Sequence, residues 1–412
     1  VCKIGEVVVV GGVRRSALLS LSNIQDDRMR KAKSGQWWVT DPHRALANNS
    51  ACYTRTPDIG LFMHEWKSLF DSKSGERGIF NRKSAKDKAA ENGRRNVDFD
   101  FGTNPCSEII LRPYQFCNLT EVVVRGADTP SSLKAKVRLA TILGTFQSTL
   151  TDFKYLRKIW KDNTEEERLL GVSLTGIMDN HYTNLPTADF LKKLRQTAVD
   201  INKELAKKLK IPQSTAITCV KPSGTVSQLV DSASGIHTRH SPYYIRTVRC
   251  DTKDPLTSFM IEQGFPNEPD VTNPDSVTVF SFPIKSPDRA VCRKDVGAIQ
   301  QLETWLMYQK HWCEHKPSVT ISVKDHEWMD VGAWVYNNFD HIAGISFLPY
   351  ADHVYKQAPY QDCDEGQYKE LLKTMPTNVD FSAFKEDQDN TTGSQELACT
   401  GGVCELVDVS AN

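Results

Sequence analysis

The sequence has no excess of charge: 51 lysines and arginines stand against 51 aspartates and glutamates over 412 residues. A balanced chain carries no overall footprint for nucleic acid or a membrane surface, so any phosphate must be held by a local site. A run of about 18 apolar residues is missing, which excludes an ordinary transmembrane helix. A charged-then-apolar secretory leader is missing too. The 11 cysteines are odd in number and scattered, unlike the disulfide framework of a secreted domain. They predict a reducing cytoplasm with a few working thiols. Metal-ligand spacing is also lacking. His311, Cys313 and His315 fall around a Trp-rich helix stopped by Lys316-Pro317, where packing and helix termination are the expected roles.

Val1-Cys2-Lys3 offers no initiator methionine, and Glu6 to Val10 reads as a buried strand. A domain rarely opens on a core strand, so the expectation is a fragment whose N-terminal part is missing. Beyond Val10 the chain alternates short β-branched runs with amphipathic helices, an α/β pattern without internal repeats. Ile59 to Phe70 reads as a helix, and Ser132 to Lys161 as two helices or one bent one. A further helix carries Leu191, Leu194, Ala198, Ile201, Leu205 and Leu209 on one face. Strands are expected at Thr215–Val220, Val277–Phe282, Val319–Val323 and Ile342–Leu348, with helices around Leu302 and from Trp328 to Tyr336. Tyr243-Tyr244 reads as a strand pair. Residues 1–383 form one unit, and 384–412 a polar, acidic tail.

The densest chemistry lies in Asn104-Pro105-Cys106-Ser107-Glu108, with Cys117 shortly downstream. Pro105 makes the segment a constrained loop. Residues two apart in such a loop can share a side, which would bring Asn104, Cys106 and Glu108 together. A carboxylate beside a thiol opposes thiolate formation, which counts against a cysteine hydrolase. It is compatible with a thiol that carries a hydrogen atom and with Glu108 as general base toward a substrate hydroxyl. In the tail, Cys399 and Cys404 flank Gly401-Gly402, a permissive turn that lets the two thiols meet. Two more ligands would be needed for zinc, so redox exchange is the better account. Lys221-Pro-Ser-Gly-Thr-Val-Ser227 comes directly after an expected strand. A helix starting near Thr225 would offer free N–H groups to a phosphate, with Ser223, Gly224 and Thr225 at its head. The Walker order is absent.

These segments together resemble the adenosylcobalamin-dependent (class II) ribonucleoside triphosphate reductases of the monomeric kind. The resemblance is carried by Val13-Arg-Arg-Ser-Ala17, Gly78-Ile-Phe-Asn-Arg82, Asn104 to Glu108, and Phe116-Cys-Asn-Leu-Thr-Glu121. Further matches are Gly171-Val-Ser-Leu-Thr-Gly176, Pro222-Ser-Gly-Thr-Val226, His311-Trp-Cys-Glu-His-Lys-Pro317, Gly332-Ala-Trp-Val-Tyr336 and Glu396 to Cys404. It runs nearly the whole length of the chain. It implies a ten-stranded α/β barrel of the ribonucleotide reductase and glycyl radical enzyme type, incomplete at its N-terminus, with a flexible C-terminal redox tail. The finger loop would lie near 101–121 and the phosphate loop near 221–227.

The resemblance also implies roles. Cys106 would become a thiyl radical by homolysis of the cobalt–carbon bond of adenosylcobalamin (coenzyme B12) and take the ribose 3′ hydrogen. Glu108 would accept the 3′ hydroxyl proton, with Asn104 holding the sugar. Cys117 and a partner cysteine would supply two electrons, Cys399 and Cys404 would re-reduce that pair, and thioredoxin would reduce the tail. Ser223, Gly224 and Thr225 would bind substrate phosphates. A dNTP effector would act through the missing N-terminal part of a cytoplasmic monomer that binds no nucleic acid or membrane. One departure matters: Cys2 and Cys52 are the only cysteines upstream of Cys106, and neither is in the strand context expected for the partner of Cys117. The partner is expected in the missing part, so this chain alone is expected not to turn over; nucleotide reduction by the purified 412-residue chain would contradict that. Two alternatives stand beside this reading. A reductase of another radical class would need a late tyrosine pair or a glycyl-radical motif, and a catalytically inactive nucleotide-binding remnant would not need its thiols.

Overall fold

A computed structural model describes residues 1–6, 9–10, 13–14, 16–271, 273–350 and 356–384. Seven strands and the segments between them build the wall around the site: β1 (Leu18–Asn23), β2 (Ala47–Tyr53), β3 (Gly78–Asn81), β4 (Asn118–Val123), β5 (Leu170–Thr175), β6 (Thr320–Val323) and β7 (Gly344–Pro349). β1, β2 and β3 run parallel, with Leu18 opposite Ala47 and Ser50 opposite Gly78. β3 meets β7 antiparallel, Phe80 opposite Gly344, and β7 lies parallel to β6. β4 and β5 are parallel, and single parallel bridges Val172–Thr218 and Val220–Pro317 carry the wall from β5 through residues 217–220 to the lead-in of β6. Two parallel sets running in opposite directions therefore meet at the β3–β7 seam. Among the described residues no ladder joins β4 to β1, so the ring is open there. The expected strand at Thr215–Val220 makes these bridges but no continuous ladder.

Helices cover the outside. They are α1 (Ile59–Ser72), α2 (Pro130–Gln147), α3 (Ala188–Leu209), α4 (Ala298–His311) and α5 (Trp328–Asn337). The stretch expected as one or two helices from Ser132 divides into α2 and a shorter helix, Lys158–Glu167. The apolar stripe of α3 buries Leu191, Leu194, Ala198 and Ile201 as its periodicity predicts. The first residues differ from expectation. Cys2–Glu6 is helical, and Val9–Val10 is extended, paired with Val13–Arg14. Tyr243–Asp251 is a strand, as read, in a separate antiparallel sheet with Val277–Lys285 and Tyr360–Asp362.

Three large side chains of α4 and its end fix the inner segments. The indole of Trp305 donates to the Pro317 carbonyl (2.9 Å), that of Trp312 to Cys219 (2.8 Å), and the Tyr308 hydroxyl to Thr183 (2.8 Å). All three are fully buried. Their hydrogen bonds satisfy otherwise orphaned backbone carbonyls while aromatic area leaves water, and through Trp305 and Trp312 packing and polar satisfaction act together on two inner segments. Those segments, 217–220 and 315–318, form the floor beneath the thiol loop. Among the described residues no helix is long and apolar enough to cross a membrane.

Candidate active site

The thiol loop is a tight hairpin inside the wall. Gly102–Thr103 pairs antiparallel with Ile110–Leu111, leaving Asn104 to Ile109 as the tip. Its base is buried, with Phe101 and Ile110 packed against Phe80 and Ala343. At the tip, the Ser107 N–H donates to the Asn104 carbonyl (2.9 Å), and Ser107 adopts φ 65°. A turn with a left-handed residue breaks the alternation expected of an extended loop. Cys106 consequently points outward and is exposed, whereas Glu108 points inward and is wholly buried. Asn104 stays with Glu108: its amide oxygen accepts from the Ile109 N–H (2.9 Å), which leaves its amino group on the carboxylate side.

Neither Glu108 oxygen has a well-formed hydrogen bond; the Asn104 amide makes only a loose contact. Burial therefore raises the Glu108 carboxyl above its ordinary range, against the opposing pull of Asn104 and the cations Lys221 and Lys316. Cys117 is held as a thiol by burial and then by the Glu108 charge. Cys52 does lie on a wall strand, contrary to expectation, but its charged neighbours are Arg82 and Asp100. Cys399 and Cys404 fall outside the described residues.

Cys106 opens onto a cavity of about 260 Å³ whose far wall is Lys221 to Thr225. Gly235, at φ 56°, permits this loop: a Cβ there would lie 2.3 Å from the Lys221 carbonyl oxygen. Ser223 is itself left-handed (φ 56°) and buried, and its hydroxyl donates to the Glu121 carboxylate. In this geometry Ser223 shapes the loop, while Gly224 and exposed Thr225 face the cavity. The short helix Gly224–Leu229 starts where the sequence suggested.

Two histidines that the site depends on were not singled out as site residues in the sequence. His237 donates from Nδ1 to the Ser234 carbonyl (2.9 Å) and accepts at Nε2 from the Thr320 N–H (3.1 Å), a neutral ring that ties the loop around Ser234 to β6. His315 accepts at Nδ1 from Ile110 (3.2 Å) and donates from Nε2 to Leu170 (3.0 Å). Both of its nitrogens are thus engaged with backbone, and burial holds it neutral. Glu121 and Lys316 were also missed as site residues; Lys316 preceding Pro317 reads as a helix stop.

No family model matches the chain. Adenosylcobalamin-dependent ribonucleoside-triphosphate reductases of Lactobacillus gasseri and Lacticaseibacillus paracasei are each 29% identical to it across 98% of its length. The one from Lactobacillus leichmannii is 27% identical over the same share. The chain is similar to these reductases from end to end. It spans only 58% of their length. A crystal structure of a B12-dependent (class II) ribonucleotide reductase superposes with TM-score 0.74 at 24% identity, over 94% of this chain and 57% of that one. The alpha subunit of an Actinobacillus ureae class Id ribonucleotide reductase gives TM-score 0.52 at 13% identity. The fold is thus the mixed α/β fold of the class II ribonucleotide reductase, as expected.

Proposed function

We propose that this chain carries the catalytic part of a reductase that converts ribonucleoside triphosphates to 2′-deoxyribonucleoside triphosphates, with adenosylcobalamin as cofactor. The observation that carries this reading is the divergence at the hairpin tip. An exposed thiol faces a cavity, and behind the tip lie a buried carboxyl, a carboxamide and, near that carboxyl, a half-buried second thiol. The names of the similar reductases supply the substrate class and the cofactor.

Exposure of Cys106 at the cavity fits a bulky cofactor, which reaches the sulfur without entering the protein interior. Polar groups of the cavity wall, Asn48, Ser74 and Ser346, would help to hold it. When bound, adenosylcobalamin would supply the radical chemistry that lets the Cys106 thiol give up its hydrogen atom. The Cys106 thiyl then takes the 3′ hydrogen of the ribose and returns it after reduction. Glu108, buried behind the tip, would accept the 3′ hydroxyl proton once the Ser107 turn rotates its carboxyl toward the cavity, and the raised carboxyl suits proton uptake. Asn104 orients that edge of the sugar. The 2′ hydroxyl leaves as water, and the two electrons come from Cys117 and a partner thiol, which end as a disulfide. Exchange with Cys399 and Cys404 restores the pair, and a thioredoxin-like dithiol reduces the tail in turn. Gly224, Thr225 and Lys221 receive the phosphates, with Ser223 holding the loop. A cytoplasmic monomer with a dNTP effector site in a region outside this chain completes the reading, with the cysteine pair of residues 384–412 as its reductant.

Substrate occupancy is testable directly. A ribonucleoside triphosphate is expected to slow alkylation of Cys106 by iodoacetamide about tenfold, read by mass spectrometry of the Cys106 peptide. Equal rates with and without saturating nucleotide would contradict the placement of substrate in this cavity.

A further inference from the structure

We propose that Lys316 is a positioning residue for this chemistry: its ammonium holds the Ser107 turn from which Cys106 and Glu108 diverge and is the buried cation at that turn, an assignment that rests on the reductase reading of those two residues. Lys316 is 0% exposed. Its Nζ donates to Ser107 Oγ (2.6 Å) and lies 4.8 Å from the centre of the Phe80 ring. Among the described residues it forms no ion pair within 4.0 Å. A buried cation without a paired carboxylate is costly, and a core lysine with no task would be replaced at a gain.

The surroundings are shaped for this amine. Gly344 of β7 has no side chain where one would collide: a Cβ there would sit 2.4 Å from Nζ and 3.2 Å from Ser107 Oγ. The backbone on either side grips the same turn. The Lys316 N–H donates to the Glu108 carbonyl (3.2 Å), and Ser318 Oγ donates to the Cys106 carbonyl (2.6 Å). Residues 316–318 therefore contact Cys106, Ser107 and Glu108 in sequence, and the Trp305 bond to Pro317 anchors them from behind.

The electrostatics point the same way. Burial depresses the Lys316 ammonium to about 7, with Glu108 opposing that fall, and burial raises Glu108, with Lys316 opposing that rise. Each charge favours the other. The remaining titratable groups around the pair are Lys221 on the phosphate-side loop, Glu121 on β4, Cys117 and Cys219 beneath the tip, and Arg95 and His315 behind it. Of these, Lys221 is the other cation that favours ionised Glu108.

The test uses the 412-residue chain with Lys316→Met, which keeps most of the side chain's unbranched length and removes its charge. Hydrogen exchange of the amides of Asn104 and of residues 106–110 is expected to speed about tenfold, with α3 unchanged. Infrared difference spectra against Glu108→Gln are expected to show the protonated carboxyl of Glu108 persisting to higher pH in Lys316→Met, because a cation that favoured ionisation is gone. A lysine that merely fills space would leave that band where it is. Should Lys316→Met fail to fold, Ser107→Ala removes only the acceptor and is expected to accelerate exchange at the same amides. Unchanged exchange in a folded variant, or an unmoved Glu108 titration in Lys316→Met, overturns the proposal. Both readouts need neither nucleotide nor cofactor, so failure of the reductase reading is seen separately, as no nucleotide protection of Cys106.

Discussion

Replacing Cys106 by alanine is expected to lower ribonucleotide reduction on the order of 10⁴-fold or more, when this chain is completed with the region of a similar reductase that it does not span. The magnitude reflects what the side chain does. Cys106 is the exposed thiol on the cavity, whereas Cys117 is drawn inward and kept as a thiol by burial and by Glu108. No neighbouring group can take over hydrogen-atom transfer from the tip. Nucleotide binding should survive, because the Lys221–Thr225 wall is untouched. The expected result is therefore lost turnover with retained affinity, measured by deoxynucleotide formation and by equilibrium binding. Turnover within tenfold of the parent protein would mean that another residue carries the reaction.

The second large effect is on stability. Arg95→Met is expected to cost about 3–5 kcal/mol, read from the urea midpoint. The Arg95 side chain is 0% exposed and grips Glu167 with two bonds, Nε to Oε1 (3.0 Å) and Nη2 to Oε2 (2.9 Å). Its Nη2 also reaches Gln115 Oε1 (3.2 Å), and the Gln115 amide donates to Glu167. The Arg112 N–H closes the group on Gln115 (3.1 Å), and the guanidinium lies 4.8 Å from the Phe101 ring centre. This network ties the root of the thiol hairpin to the helix ending at Glu167. Removing Arg95 alone strands a buried carboxylate. Replacing Arg95 and Glu167 together with apolar residues is expected to recover most of the loss, since a well-packed apolar pair carries no desolvation penalty. A loss below about 1 kcal/mol for Arg95→Met would mean that the pair behaves as though exposed.

Much of the framework was legible because its signals are local. The wall strands β6 and β7 and helices α3 to α5 are readable from hydrophobic periodicity, and the helix after Ser223 from its turn chemistry. The composition of the site was equally visible, since Asn104, Cys106, Glu108 and Cys117 lie within fourteen residues. Its geometry was not. The left-handed turn at Ser107 sends Cys106 and Glu108 to opposite sides, and it is held by contacts from residues more than 200 positions away. Lys316 gave no sequence signal for burial, because a lysine before a proline ordinarily marks a solvated helix end. Ser223 shows the same limit: a hydroxyl in a glycine loop reads as a phosphate donor, yet here it turns to Glu121, a residue 102 positions away. Such long-range pairs leave no trace in periodicity or spacing.

The central claim is that the reaction runs through a radical on the Cys106 sulfur. Electron paramagnetic resonance on the completed protein tests it most directly, with adenosylcobalamin, a ribonucleoside triphosphate and a dithiol present, and with cysteine deuterated at Cβ in a parallel sample. The account predicts a radical signal that narrows on deuteration and is absent in Cys106→Ala. A signal that persists unchanged in Cys106→Ala, or none in a folded, cofactor-bound protein, would contradict it.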